Sequence, residues 1–116
     1  MTPYDYRVVE VIRVVDGDTL DAVLDLGLRV TTAQRFRLLG CDTPERSEAG
    51  WRECTMFTRE WMLPRVTLRT LRGRTHKADS FGRWLIDLYD ELSGDHLSTE
   101  LVSLMAVNGW TSEAVR

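Results

Sequence analysis

Six polar side chains of this sequence have the types and spacing that phosphate chemistry uses. Asp16 and Asp18 flank Gly17, Asp42 and Glu45 fall in the stretch Gly40-Cys41-Asp42-Thr43-Pro44-Glu45, and Arg37 and Arg83 supply guanidinium groups. Carboxylates gathered in one place repel each other unless a hard cation sits among them, and calcium or magnesium with oxygen ligands meets that need. Arginine forks onto two oxygens of a phosphate and stays protonated. A phosphodiester under in-line attack gathers negative charge on its oxygens. A metal ion and two guanidiniums placed beforehand stabilise that charge at little reorganisation cost. A glutamate near the same metal can take the proton of the attacking water. Each piece also has an ordinary structural use: Asp-Gly marks turns, and acidic residues favour helix N-termini. The Asp16–Asp18 turn is not an EF-hand, because Leu20 and Asp21 stand where that loop wants an oxygen ligand and a glycine.

These residues need elements to position them. Residues 7–15 are largely β-branched and end at Asp16-Gly17-Asp18, which breaks the run as a turn. Leu20, Val23, Leu24 and Leu26 make a second strand closed by Gly27. A third covers about residues 30–39, with Phe36 and Leu38 on one face and Arg35, Arg37 and Leu39 on the other. If these strands form a meander, the Asp16–Asp18 turn and the loop carrying Asp42 meet at one end of the sheet. The spacing predicts a helix capped by Ser47, running to about Met62 and ended by Pro64. Its stripe of Trp51, Cys54, Phe57, Trp61 and Met62 reads as core. A fourth strand is expected over residues 66–71, then a polar loop to Asp79, a fifth strand over residues 84–89, and a turn at Ser93-Gly94-Asp95. A second helix over residues 98–108 ends at Gly109. Five strands, with one helix between strands 3 and 4 and one after strand 5, predict a mainly β chain with α. The expected architecture is a five-stranded Greek-key barrel of OB type, filling residues 1–116 as a single domain.

The order of the polar pieces carries a family resemblance. Asp16-Gly17-Asp18-Thr19, then Arg37-Leu38-Leu39-Gly40-Cys41-Asp42-Thr43-Pro44-Glu45, then Asp79-Ser80-Phe81-Gly82-Arg83 resemble the staphylococcal (micrococcal) nuclease family, with support from Phe57-Thr58 and residues 97–109. The resemblance spans roughly residues 7–111. It implies an OB barrel and calcium-dependent cleavage of DNA and RNA phosphodiesters at the P–O5′ bond, leaving 3′-phosphate ends. By position, Asp18 and Asp42 would ligate calcium directly, the main-chain carbonyl of Thr43 would add a third oxygen, and Asp16 would reach the ion through water. Glu45 would activate or orient the attacking water, and Arg37 and Arg83 would hold the phosphate. Magnesium or manganese would be the substitutes for calcium. Phe81 takes a substrate-binding position where the family has tyrosine, so a phenol hydrogen bond to phosphate is lost. The family's type member has a further helix after the second, whereas this chain stops at Arg116, so a homodimer stands beside the monomer as an expectation.

Composition narrows the alternatives. With 15 basic and 18 acidic residues the net charge is −3, which argues against coating nucleic acid by charge alone. Fourteen of the basic residues are arginine, and Lys77 is the only lysine. A basic stretch holds Arg65, Arg69, Arg72, Arg74, His76 and Lys77, and an acidic one holds Asp87, Asp90, Glu91 and Asp95. No apolar run approaches the roughly 20 residues of a membrane span, and residues 1–7 lack a secretory profile, which predicts a cytoplasmic protein without a membrane partner. Two cysteines cannot build a disulfide scaffold. A zinc site would need His76 and His96, and none of the four is at finger-like spacing, so Cys41 and Cys54 read as small buried hydrophobes. Against the nuclease with its nucleic-acid substrate stands a non-catalytic OB module binding nucleic acid or a protein partner. Such a module has no use for Asp18, Asp42 and Glu45 beside a phosphate, which they repel without a metal.

Overall fold

In the computed structural model, which describes residues 4–78 and 81–110, the three N-terminal strands form the expected meander: β1 (Asp5–Asp16), β2 (Thr19–Gly27) and β3 (Val30–Leu38). Leu20, Ala22 and Leu24 of β2 and Phe36 and Leu38 of β3 turn inward, as period-2 spacing requires. β1 is less regular. Its register against β2 shifts three times, and such irregularities raise the local bend and twist that a small barrel needs.

Helix α1 (Trp51–Thr67) leads to β4 (Leu71–Ala78), and β5 (Trp84–Asp90) leads to α2 (Leu97–Asn108). The strands close in the order β1-β2-β3-β5-β4, antiparallel except for the β3–β5 pair. The protein is therefore a closed five-stranded barrel of mainly β structure, with one helix between β3 and β4 and one after β5, the arrangement of an OB fold. Its core includes Leu20, Phe36, Leu38, Met62, Leu71, Ile86, Leu88, Leu97 and Leu101, all fully buried, so that barrel and helices share one apolar interior.

The structure corrects the sequence reading between residues 47 and 78. The helix begins at Trp51, not after a Ser47 cap, because Gly50 takes φ 91° and serves as the N-cap. A Cβ there would lie 2.4 Å from ring atoms of Trp110, so glycine also lets that ring close over the turn. Pro64 does not end the helix. Proline removes one donor, but burial of Trp61 and Met62 holds the segment in place, and Leu68 N–H returns to Pro64 O at 2.9 Å. Residues 66–70 therefore close the helix rather than forming a strand, with Arg69 at φ 60°. The fourth strand is instead β4, in the stretch expected to be polar loop. Its polar pattern misleads because the outward arginines are paired. Arg72 Nε lies 3.2 Å from Asp5 Oδ1, Arg74 Nη2 lies 3.5 Å from Asp5 Oδ2, and the Tyr89 hydroxyl donates to Asp5 Oδ2. Asp79, Ser80 and the C-terminal residues 111–116 lie outside the described residues.

Asp5 has a fully buried carboxylate that ties β1 to β4 and β5 where the barrel closes. Breaking a buried pair by removing one partner strands the other charge, at roughly 3–5 kcal/mol. Asp5→Ala is expected to lower the unfolding free energy by about that amount in urea titration. Asp87→Ala, which among the described residues loses the half-exposed His96 contact, should stay within about 1 kcal/mol of wild type. Equal losses from both substitutions would contradict this account of barrel closure.

Candidate functional site

Local backbone geometry brings the β1–β2 turn against the loop after β3. Thr19 pairs with Arg37 across β2 and β3, and Leu38 N–H donates to Asp18 O at 2.8 Å. On the other side the turn rests on one face of α1. Trp51 Nε1 donates to Asp16 Oδ1 at 2.6 Å, and Thr58 Oγ1 donates to Gly17 O at 2.6 Å. A Cβ on Gly17 would lie 2.9 Å from Cys54 Cβ and 2.9 Å from Thr43 Cγ2, so only glycine permits this approach.

Asp18 is the centre of the arrangement and is only 7% exposed. Its Oδ2 accepts from Thr43 N–H at 2.9 Å, and its Oδ1 accepts from Thr19 Oγ1 at 3.0 Å. Arg37 lies across it. The Nη1 of Arg37 is 3.4 Å from Asp18 Oδ2 and also donates to the carbonyls of Cys41 at 2.7 Å and Leu38 at 3.0 Å, while Nη2 pairs with Asp42 Oδ1. One guanidinium thus joins two carboxylates from two chain segments.

Four of the expected site residues are therefore brought together: Asp18, Arg37, Asp42 and Thr43. Asp16 is beside them in sequence, but its carboxylate is engaged by Trp51. Glu45 is exposed. Its N–H donates to Glu48 Oε1 at 2.7 Å, Glu48 N–H returns to Glu45 O, and among the described residues its carboxylate makes no contact with the Asp18–Arg37–Asp42 group. Arg83, just before β5, lines a cleft of about 810 Å³ together with Arg37 and Asp42. Its guanidinium carbon lies 5.2 Å from the centroid of the Phe81 ring, which is exposed. Leu39, Leu85, Met105 and Trp110 give this cleft an apolar floor.

No protein-family model and no curated protein matches this sequence. What the chain resembles therefore rests on its own motif residues and on where they lie.

The donor chemistry suits a hard cation. Two carboxylates face one guanidinium, leaving negative charge in excess, and Thr43 Oγ1 beside them is buried with no hydrogen-bond partner among the described residues. Among the described residues no group of three or more His, Cys, Asp or Glu side chains converges, so any ion here would need main-chain or hydroxyl oxygens as well. The sequence reading missed the part played by Trp51 and Thr58. They were legible as helix positions at i and i+7, with Cys54 at i+3, yet nothing in the sequence said that this face would seat the Asp16–Asp18 turn.

The thiols behave as apolar filler. Burial, with the negative charge of Asp18 added, pushes the Cys41 thiol up to about 12, and burial pushes Cys54 up to about 11. At pH 8 neither carries appreciable thiolate, so dithionitrobenzoate should label both cysteines only on unfolding; rapid labelling of the native protein would contradict the packing. Gly17→Ala is expected to cost about 1–3 kcal/mol by overpacking, measured as a lowered midpoint in thermal melts. An unchanged melt would show that the turn has room to move.

Proposed function

We propose that this chain is a calcium-dependent nuclease of the staphylococcal nuclease type, hydrolysing DNA and/or RNA endonucleolytically and leaving 3′-phosphate ends. The observation that carries the reading is the bridge from Arg37 to both Asp18 and Asp42, beside a cleft that Arg37, Asp42 and Arg83 line together. A purely structural barrel has no need of two arginines and a carboxylate lining one concave surface, with a second, buried carboxylate held against one of those arginines.

Calcium held by Asp18, Asp42 and the Thr43 carbonyl would polarise a phosphoryl oxygen and offset the charge that builds during attack. Arg37 and Arg83, which line the same cleft, would grip non-bridging oxygens, each through a planar fork. Arg37 is already held rigidly by the Cys41 and Leu38 carbonyls, so little reorganisation is needed to aim it. Glu45 is solvent-accessible on the same loop as Asp42 and would accept the proton of the attacking water. The water oxygen bonds to phosphorus, the P–O5′ bond breaks, and its electron pair leaves on the 5′ oxygen, which takes a proton from solvent. Phe81, exposed beside Arg83, offers an apolar contact for the sugar or base in place of a phenol hydrogen bond. The apolar floor of the cleft suits a base or sugar better than a second phosphate.

One observation favours a second reading, a non-catalytic OB module that binds nucleic acid or a protein partner: among the described residues the exposed Glu45 carboxylate makes no hydrogen bond or ion pair with the Asp18–Arg37–Asp42 group. Digestion of plasmid and single-stranded DNA, in calcium and in chelator, separates the two. Calcium-dependent cutting with 3′-phosphate ends is expected. A folded protein that cuts nothing with calcium, magnesium or manganese would leave the binding module as the better account. Glu45→Gln is expected to lower turnover by about 10²–10⁴, and Arg83→Ala by about 10²–10³, with circular dichroism unchanged. Near-normal cutting by either variant removes that residue from its role.

A further inference from the structure

The barrel has a second concavity at the end away from the Asp16–Asp18 turn. Its walls come from all five strands, at inward-facing positions where the core meets the barrel's open end: Tyr6 of β1, Leu24 of β2, Gln34 and Phe36 of β3, Thr75 of β4 and Trp84 of β5. The cavity measures about 380 Å³, within the usual range for small-molecule sites, and barrel mouths are frequent places for them. Phe36 is buried at its floor, while Trp84 and the neighbouring Tyr4 are 43% and 64% exposed at its rim. Tyr4 is pinned there, because its carbonyl accepts from Thr75 N–H at 3.0 Å and Thr75 Oγ1 at 3.1 Å.

The chemistry of this mouth is specific. None of its lining residues is charged, so it neither attracts an ion nor repels a phosphate beside it. Aromatic rings supply stacking faces. The Gln34 amide, which donates through Nε2 to Thr32 Oγ1, adds both donor and acceptor capacity at the edge. A flat, neutral ring with polar atoms around its rim satisfies such a site, and a nucleobase is that kind of ring.

The mouth is also joined to the cleft already described. Phe36 pairs with Trp84, and the next pair along the same two strands is Arg37 with Leu85. Successive strand residues point to opposite faces and lie about 3.3 Å apart. Arg37 and Arg83 therefore face the outer cleft, while their chain neighbours Phe36 and Trp84 face the mouth. A strand crossing the lip of the β3–β5 pair would present phosphate to the arginines and turn a base inward.

We propose that the barrel mouth is a base-binding subsite, which takes one unpaired nucleobase of a strand whose phosphate lies between Arg37 and Arg83. This rests on the nuclease reading for the phosphate cleft. A base in a duplex must first leave its stack, which costs energy that an unpaired base does not need. The subsite therefore selects single-stranded substrate.

The test uses the full chain in calcium, with a nuclease-resistant phosphorothioate oligothymidylate, an oligoadenylate of the same length, their duplex, and free adenosine as competitor. Binding is followed by fluorescence anisotropy, with ordinary DNA digested in parallel. Wild type is expected to prefer single strands. Trp84→Ala should weaken them about ten- to hundred-fold, with Trp84→Phe retaining most of the affinity. Gln34→Ala should shrink the difference between oligoadenylate and oligothymidylate. Unchanged single-strand affinity in folded Trp84→Ala overturns the subsite even if digestion is normal. Displacement of the strand by adenosine at concentrations matching the strand's own affinity makes a free nucleoside the occupant and overturns the strand proposal. Trp84-dependent binding with no digestion by wild type overturns the nuclease reading and leaves the base-binding mouth standing.

Discussion

The buried carboxylate of Asp18 is the constraint around which this end of the molecule is built. A carboxylate removed from water is costly unless donors replace its hydration. Here they come from three places: the Thr19 hydroxyl, the Thr43 N–H and the Arg37 guanidinium. Supplying all three requires β3 to run beside the turn and the following loop to fold back over it. It also requires α1 to approach closely enough that Gly17 can carry no side chain. The hydrogen bonds from Trp51 and Thr58 fix that approach from the helix side. The proposed catalytic set and the clasp between β1, β3 and α1 are thus largely the same atoms. Stability and the proposed chemistry cannot be separated at Asp18 or Arg37. They can be at Glu45, which is exposed, and at Arg83, which lines the cleft.

This overlap explains which parts of the structure were legible in the sequence. Asp18, Arg37 and Asp42 sit at strand ends and in a loop whose boundaries follow from alternation and turn residues, so their gathering could be foreseen. That one arginine would engage both carboxylates could not, because it depends on side-chain reach across three segments. The first three strands and the fifth were readable for a similar reason, since their buried faces alternate. Residues 66–71 alternate too, yet Val66 and Thr67 belong to α1. Helical hydrogen bonds from Leu68, Arg69 and Thr70 back to Pro64, Val66 and Arg65 outweigh local strand propensity. The strand that does form, β4, looked like a loop because its outward residues are charged. Its identity comes from β1 and β5 on either side, which sequence periodicity does not record.

The same pairing accounts for a chain rich in arginine yet acidic overall. The basic and acidic stretches noted in the sequence fall mostly on β4 and β5, which are antiparallel neighbours, with Arg72 opposite Tyr89 and Arg74 opposite Asp87. Arg65 reaches Asp90 at 3.0 Å, Arg72 lies between Asp5 and Glu91, and Arg35 forks onto Asp21 from β3. At Asp90 burial opposes ionisation, but the Leu92 and Ser93 N–H groups and Arg65 outweigh it and hold the carboxyl below its usual range. At Asp21 the Arg35 hydrogen bonds lower it. Both groups add stability that is full above the ordinary carboxylate range and fades as pH falls through their depressed values. These arginines close the barrel and brace its wall. Because these guanidiniums are committed to carboxylates, they offer nucleic acid little free positive charge along this wall. Recognition would then have to come from a few placed groups, phosphate forks in the outer cleft and aromatic faces at the mouth, rather than from a field spread over the surface.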